Sequence, residues 1–162
     1  LDMIITWAAV ESMAAHMAAT NASDADFVAL RKFAMAHSAT AKKAELGEYS
    51  DANIKFHQSI LDLSGCELLK TTANQLFMHM NAVRRRAMGE NNRAHRSIED
   101  HMEIIEALEA RDPELASRLV REHTMKPHDH VKDRWTRLAN LAGSRDVSTM
   151  NLTLNLDSNQ TR

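Results

Sequence analysis

The stretch NIKFHQSILDLSGCELL, residues 53–69, is the most informative about the fold, because its apolar residues recur at helical spacing before a glycine. Asn53 and His57 are four residues apart, which places both side chains on one helical face, about one turn from each other. The same face carries Ile54, Ile60 and Leu61. A buried amide and a buried imidazole both need polar partners. What these two groups bind is therefore the main question that the sequence raises.

The rest of the chain is also predicted to be helical. Ala, Met, Leu, Glu, Lys and Arg are frequent, whereas the 162 residues include only 4 Gly and 2 Pro. This composition favours long helices joined by short turns. We therefore predict an all-α fold, an antiparallel helical bundle of about six to seven helices.

Capping residues and glycines predict the helix boundaries in the first half of the chain. After a first helix at the start, Ser23 or Asp24 should begin the second helix, which is predicted to stop near Gly47. Ser50 should cap a third helix that Gly65 terminates.

In the second half, the fourth helix is predicted to end at Gly89, and Ser97 and Asp100 are predicted to open the fifth. In the turn RDPEL, Asp112 should be the N-cap and Pro113 the first residue of the sixth helix. Pro127 is predicted either to kink this helix or to start a last segment, HDHVKDRWTRLANLA, before Gly143 and a polar tail.

Length and composition predict one domain. With 162 residues, of which 44% are hydrophobic, the chain can form one core but not two full-sized ones. We predict a helical domain over residues 1–143 and a flexible tail over residues 144–162, which are mostly polar. Because the chain begins with Leu1 already in helical pattern, we expect it to be a fragment of a longer protein.

The charge balance argues against several partners. A net charge of -2, from 20 basic and 22 acidic residues, gives no basic footprint for nucleic acid, even with the run Arg84, Arg85 and Arg86. No apolar run approaches the roughly 20 residues of a membrane span. The start has no signal-peptide pattern, and the single cysteine, Cys66, fits a reducing compartment. We expect a cytoplasmic protein that binds no membrane and does not bind DNA through these residues.

Three of the nine histidines are predicted to point inward. His57, His101 and His123 each share a helical face with apolar residues. Neutral imidazole is the commonest protein ligand for divalent metals, and a helical bundle can gather such ligands from facing helices. Periodicity alone does not select the set, since His16 and His79 pass the same test and are predicted to line the core or a pocket. The remaining histidines, expected at the surface, are His37, His95, His128 and His130.

Residues 53–69 followed by DHMEIIEALEARDPELASRLVREH, residues 100–123, resemble the C-terminal effector-binding domain, or FCD domain, of GntR-family transcription regulators of the FadR subfamily. The shared features are an acidic or amide residue four before the His of a Phe-His pair, a His that opens an H-x-x-I-x-x-A-L helix, an Asp-Pro pair and a further His 22 residues after the previous one. The segment VESMAAHMAAT also resembles the family's first helix. The resemblance implies a homodimer whose winged-helix DNA-binding domain lies upstream of this chain.

The resemblance also implies a metal site. In metal-binding members of the family, one Asp and three His hold a divalent ion inside the bundle. By position, the ligands here are Asn53, His57, His101 and His123, with zinc, nickel or manganese as the ion. An amide stands where a carboxylate is more usual. Because an amide oxygen can coordinate but brings no charge, we expect weaker metal binding than with Asp.

A neutral ligand set predicts an anionic effector. Three imidazoles and an amide leave the double charge of the ion uncompensated, and an octahedral ion with four protein ligands has open positions. A small carboxylate could bind there, which resembles how the family senses organic acids. A planar guanidinium would suit the same carboxylate, although the arginines also fit a solvated helix end that complements the helix dipole. The predicted effector-binding residues are Arg84, Arg85, Arg86 and His79.

Two other functions remain open, a metal-dependent hydrolase and a purely structural dimerisation module. Three histidines and an open position also describe catalytic zinc sites. A general base is not identifiable, because Glu99, Asp100 and Glu103 are predicted to lie off the inward face of the helix that carries His101. In the structural module, the histidines would be core polar groups bonded to each other or to water. We favour the sensor domain and predict that the chain is not an enzyme.

Overall fold

The computed structural model describes residues 2–41, 46–88 and 93–126, with side chains for residues 2–38, 51–78 and 96–126. Six helices make up nearly all of these described residues. In chain order, they are α1 (Asp2–Asn21), α2 (Asp24–Ala41), α3 (Leu46–Leu63), α4 (Glu67–Met88), α5 (Arg93–Glu109) and α6 (residues 113–126). These described residues include no strand, so the predicted all-α bundle is confirmed. All of them belong to one compact unit, residues 1–128.

Some predictions fall beyond these ranges. The last helical segment and the polar tail over residues 144–162 lie outside the described residues, and the domain boundary at residue 143 stays a prediction. In the part of the chain that the structure describes, no helix combines the length and the apolar character needed to cross a membrane.

The predicted caps of α2 and α6 are present. The backbone N–H of Asp26 donates to Ser23 Oγ at 3.3 Å, and the backbone N–H of Ser23 donates to Asp26 Oδ2 at 2.9 Å. Hydrogen bonds from Ser23 lower the pKa of the Asp26 carboxyl. At the start of α6, the backbone N–H of Leu115 donates to Asp112 Oδ1 at 2.9 Å, which makes Asp112 the N-cap.

The end of α3 is also where it was predicted. Gly65 follows the helix with a φ of +69°, a left-handed conformation that glycine adopts at little cost. Just before it, the carbonyl of Ser64 accepts a hydrogen bond from Asn21 Nδ2 at 3.0 Å. This contact ties the end of α1 to the end of α3.

Two predicted boundaries are wrong. Gly47 and Ser50 lie within α3, which begins at Leu46. A glycine costs a helix only about 1 kcal/mol in conformational entropy, so one glycine does not by itself end a helix. Helix α5 begins at Arg93, before Ser97, and the Ser97 hydroxyl donates to the Asn53 side chain instead of acting as a cap. Ser97 was therefore identified correctly as polar, but its partner lies on another helix.

Arg111 holds the turn between α5 and α6 against the turn between α1 and α2. Its backbone φ is +57°. Its guanidinium donates to the carbonyls of Ala19, at 3.2 Å, and Ala22, and to the carboxylate of Asp24 at 2.6 Å. The same group lies 4.7 Å from the centre of the Phe27 ring. Because the last carbonyls of a helix lack partners within it, Arg111 satisfies the C-terminal end of α1.

Helix α1 packs against α3, α4 and α5. Its buried face is formed largely by small side chains, which let the neighbouring helices approach closely, and which include Ala14, Ala15, Ala18 and Ala19. The large buried side chains that fill the core are Trp7, Phe27, Phe56, Ile60, Leu61, Ile104, Ile105, Leu108 and Val120. The polar residues buried next to this core form the candidate site.

Candidate metal centre

Three histidines from three helices meet in the core. His57 on α3, His101 on α5 and His123 on α6 each have a ring nitrogen within 4.8 Å of those of the other two. Their exposed fractions are 2%, 6% and 9%, so all three point inward as predicted. The ring of Phe56 stacks on His101 with 3.9 Å between centroids, which restricts the orientation of that imidazole.

Asn53 is buried on α3, about one turn before His57, and is 2% exposed. Its Oδ1 accepts a hydrogen bond from Ser97 Oγ at 3.3 Å. Its Nδ2 has no acceptor among the described residues. The two ends of an amide are nearly the same shape, and the serine hydroxyl can either donate or accept. A half-turn of the amide would therefore place its oxygen at the unsatisfied position, where a cation would be a suitable partner.

Glu11 on α1 is a site residue that sequence reasoning missed. Its Oε1 lies 2.9 Å from His57 Nδ1, and both side chains are 2% exposed. Its Oε2 accepts a hydrogen bond from Thr124 Oγ1 at 2.8 Å. The signal in the sequence is an acid within a helical stripe of otherwise small or apolar residues, namely Ile4, Trp7, Ala8, Ala14, Ala15 and Ala18.

Asp100 on α5 contacts a second histidine of the cluster. Its Oδ2 lies 2.9 Å from His123 Nδ1, and Lys126 Nζ donates to both of its oxygens at 2.6 Å. With 18% of its side chain exposed, Asp100 is not the surface acid that was predicted, because His123 and Lys126 of α6 pack against it. Burial alone would raise the pKa of Asp100, but hydrogen bonds from His123 and Lys126 outweigh it and hold the pKa below its ordinary value.

These two carboxylates determine which ring nitrogen is available to a metal. An ionised carboxylate only accepts hydrogen bonds, so Nδ1 of His123, which is hydrogen-bonded to Asp100 Oδ2, carries the proton. Glu11 Oε1 lies 2.9 Å from His57 Nδ1 without the alignment of a hydrogen bond, and its negative charge favours the same tautomer in His57. In a neutral ring, Nε2 then has the lone pair. Metal-binding histidines usually have this arrangement, with the second nitrogen donating to a carboxylate or carbonyl.

The spacing of the cluster is close to what a metal ion needs. A tetrahedral ion with metal–nitrogen distances of about 2.0–2.1 Å requires nitrogen–nitrogen separations of about 3.3 Å. One nitrogen of each ring already lies within 4.8 Å of those of the other two, so side-chain rotations would reach that separation. The residues present therefore fit a divalent transition-metal ion.

The other candidate residues do not join this cluster in the described structure. His16 is 38% exposed, with Nδ1 3.6 Å from a carboxylate oxygen of Glu114, rather than in the core. His37, expected at the surface, is half-buried, with Nδ1 2.8 Å from the carbonyl oxygen of Phe33. The side chains that lie outside the described residues are His79, Arg84, Arg85, Arg86, His95, His128 and His130.

A small cavity formed by α2, α3 and α5 borders the cluster at Asn53 and His101. His37 and Ser38 also contribute to its wall. The remaining lining is apolar and consists of Phe33, Ala34, Ala52, Phe56, Ile98 and Met102. The cavity thus places an apolar surface beside two of the predicted metal ligands.

An all-α bundle with a buried histidine cluster matches the class of domain that the sequence resemblance indicated, the effector-binding domain of a GntR-family regulator. The family model of the FCD domain matches residues 2–125. The chain therefore belongs to the FCD domain family.

The fold is also similar to a solved structure of E. coli McbR/YncC, with a TM-score of 0.73 and 18% sequence identity. The match covers 83% of this chain and 64% of that chain, so this chain spans less than two thirds of that protein's structure. At this identity the likeness establishes the fold. No individually curated protein matches the sequence.

Proposed function

We propose that this chain is the ligand-sensing and dimerisation domain of a bacterial GntR-family transcription regulator of the FadR subfamily. In this proposal, the domain binds a divalent metal ion and a small organic acid, and the acid modulates DNA binding by an upstream winged-helix domain. The observation that carries the proposal is the buried cluster of His57, His101 and His123, in which carboxylates contact Nδ1 of two of the rings. Such carboxylate–histidine pairs are typical of metal-binding imidazoles.

The proposed metal ligands are the imidazoles of His57, His101 and His123 and the amide oxygen of Asn53. Zinc, nickel and manganese all suit nitrogen and oxygen donors, and zinc is the first choice for a histidine-rich set. When bound, the ion would supply positive charge and a coordination position for an anion. The histidines hold it, and the apolar core around them limits access of water.

The proposed effector is a small carboxylate. The cavity beside Asn53 and His101 is lined mostly by apolar side chains, which suits the hydrocarbon part of such an acid. Arg84, Arg85, Arg86 and His79 on α4 remain the proposed additional contacts for the carboxylate. An acid that binds one arrangement of the helices more tightly than another would shift the equilibrium between them and reposition the DNA-binding domains.

We expect the domain to be a cytoplasmic homodimer that has no enzymatic activity. Both carboxylates near the cluster, Glu11 and Asp100, already contact ring nitrogens of the histidines, so neither is placed as a general base for a substrate. A two-fold dimer suits a regulator that reads paired half-sites. Light scattering should give twice the mass of one chain at micromolar concentration, and a monomeric mass throughout that range would contradict the dimer.

Calorimetry tests the proposed function. Metal-free protein is titrated with zinc, nickel and manganese, and the zinc-loaded protein is then titrated with acetate, lactate and succinate. We expect one metal ion per chain and binding of at least one acid that requires the metal. Absence of binding for all three metals would show that the histidines form a polar core cluster and that the metal-sensor proposal is wrong.

A further inference from the structure

The histidine cluster has negatively charged neighbours, although the proposed metal ligands themselves are neutral. Three imidazoles and one amide are neutral and would leave a divalent ion uncompensated. Two acids nevertheless contact these rings, Glu11 at His57 and Asp100 at His123, each at 2.9 Å. We call Glu11 and Asp100 the outer carboxylates. Neither belongs to the proposed ligand set.

We propose that the outer carboxylates, acting through the rings of His57 and His123, supply the negative charge that a carboxylate at position 53 would provide. They also orient these two histidines for metal binding. This inference rests on the proposed metal site. It assigns Glu11 and Asp100 as positioning residues, which act on the metal through His57 and His123.

Glu11 has the stronger case, because it is the more deeply buried of the two outer carboxylates. Its side chain is 2% exposed, and its carboxylate lies against the His57 ring and the Thr124 hydroxyl in the core. An ionised carboxylate in such surroundings is expensive unless paired with positive charge. A metal ion on the far side of the His57 ring would stabilise the Glu11 charge through the imidazole.

Asp100 is arranged differently. Lys126 donates to both of its oxygens, so one positive charge already balances it. Its side chain is also 18% exposed, against 2% for Glu11, so solvent screens its charge more strongly. Its contribution to the ion should therefore be smaller than that of Glu11, and its main role should be to fix the tautomer and orientation of His123. We therefore expect neutralisation of Glu11 to lower zinc affinity more than neutralisation of Asp100.

Glu11→Gln is the sharpest test. Glutamine keeps the size of the side chain, can accept from His57 Nδ1 and can bond to the Thr124 hydroxyl, but it removes the charge. We expect zinc affinity, measured by calorimetry, to fall by about 10–100-fold. The melting temperature of the metal-free protein should not fall, because the packing is unchanged and the cost of burying a charge is removed. Glu103→Gln, on the exposed side of α5, is the matched control and should leave both quantities unchanged.

The double variant Glu11→Gln, Asn53→Asp tests the charge argument directly. Moving a carboxylate into the ligand set restores one negative charge next to the ion, so we expect most of the lost zinc affinity to return. Asp100→Asn should weaken zinc binding less than Glu11→Gln does. This variant also gives an independent result if Glu11→Gln fails to fold.

The outcomes separate this inference from the proposed function. If wild type binds no zinc, nickel or manganese, the metal site itself is wrong and this inference falls with it. If wild type binds zinc and Glu11→Gln binds it equally well, the metal site stands and the role of Glu11 is wrong. A lower melting temperature of metal-free Glu11→Gln, without recovery of zinc affinity in the double variant, would show that Glu11 is only a structural residue.

Discussion

Replacing His101 with alanine should remove most of the stabilisation that zinc gives to this domain. His101 is 6% exposed and stacks on Phe56, so the substitution also leaves a cavity and costs about 2–3 kcal/mol in the metal-free protein. That packing cost is present with and without metal. The zinc-induced shift in melting temperature, measured separately for each variant, therefore isolates the contribution of the ligand.

The expected shift follows from mass action. With free zinc at about 100 times the dissociation constant, binding stabilises wild type by about 2.7 kcal/mol. For a domain of this size, about 2–4 °C corresponds to each kcal/mol, so the melting temperature should rise by about 5–10 °C. If loss of His101 weakens binding about 100-fold, the same zinc concentration provides only about 0.4 kcal/mol, which is a shift of about 1 °C.

Thermal unfolding followed by circular dichroism, once in chelator and once in zinc, measures the packing cost and the zinc-induced shift separately. Val120→Ala is the matched control, because Val120 is fully buried on α6, about one turn before His123, and is not a proposed ligand. This control should melt earlier in chelator but keep the full zinc shift. A full zinc shift in His101→Ala would exclude His101 as a ligand. An equal loss of the shift in both variants would show that the shift reflects packing.

Three further substitutions have defined outcomes. Asn53→Asp should raise zinc affinity by adding a charged ligand and should weaken acetate, lactate and succinate binding to the zinc-loaded protein, whose site is then less positive; unchanged affinities in calorimetry would contradict this. Arg111→Ala should lower the free energy of unfolding by about 2–3 kcal/mol in urea titrations, because it removes charge-assisted hydrogen bonds to the end of α1 and a cation–π contact; a loss below about 0.5 kcal/mol would show that this turn is held by other contacts. Glu109→Gln should cost roughly 0.5 kcal/mol at pH 7, since Glu109 forms a two-bond pair with Arg31 at the surface. The hydrogen bond from Arg31 lowers the pKa of Glu109 in the folded state, so wild type should be the more stable above the ordinary Glu pKa of about 4.3 and lose this advantage as the pH falls below it; a difference that persists at pH 2 would contradict the assignment.

The helices could be predicted from the sequence because local chemistry specifies them. Asp112 caps α6, and Gly65 terminates α3, through contacts with residues close by in the chain. The errors at Gly47 and Ser97 have a different origin. Whether a serine caps its own helix or bonds to another one depends on what lies opposite, and Asn53 lies opposite Ser97 only in the folded bundle.

The site was predictable only in part. Helical periodicity marks a face but does not say which faces meet, so His16 passed the same test as His57 and yet is half-exposed. The family resemblance selected His57, His101 and His123, which the structure brings together. Glu11 and Asp100 could not be placed beside them, because their contacts with the histidines join different helices and depend on how α1, α3, α5 and α6 pack.

Anomalous diffraction from crystals grown with zinc would test the metal site most directly. Data collected on both sides of the zinc absorption edge should show one strong peak per chain, within bonding distance of ring nitrogens of His57, His101 and His123. We expect Nε2 of His57 and of His123 to bind the ion, because Glu11 and Asp100 contact Nδ1 of these rings. A peak confined to surface histidines such as His16, or no peak in zinc-saturated crystals, would contradict the account.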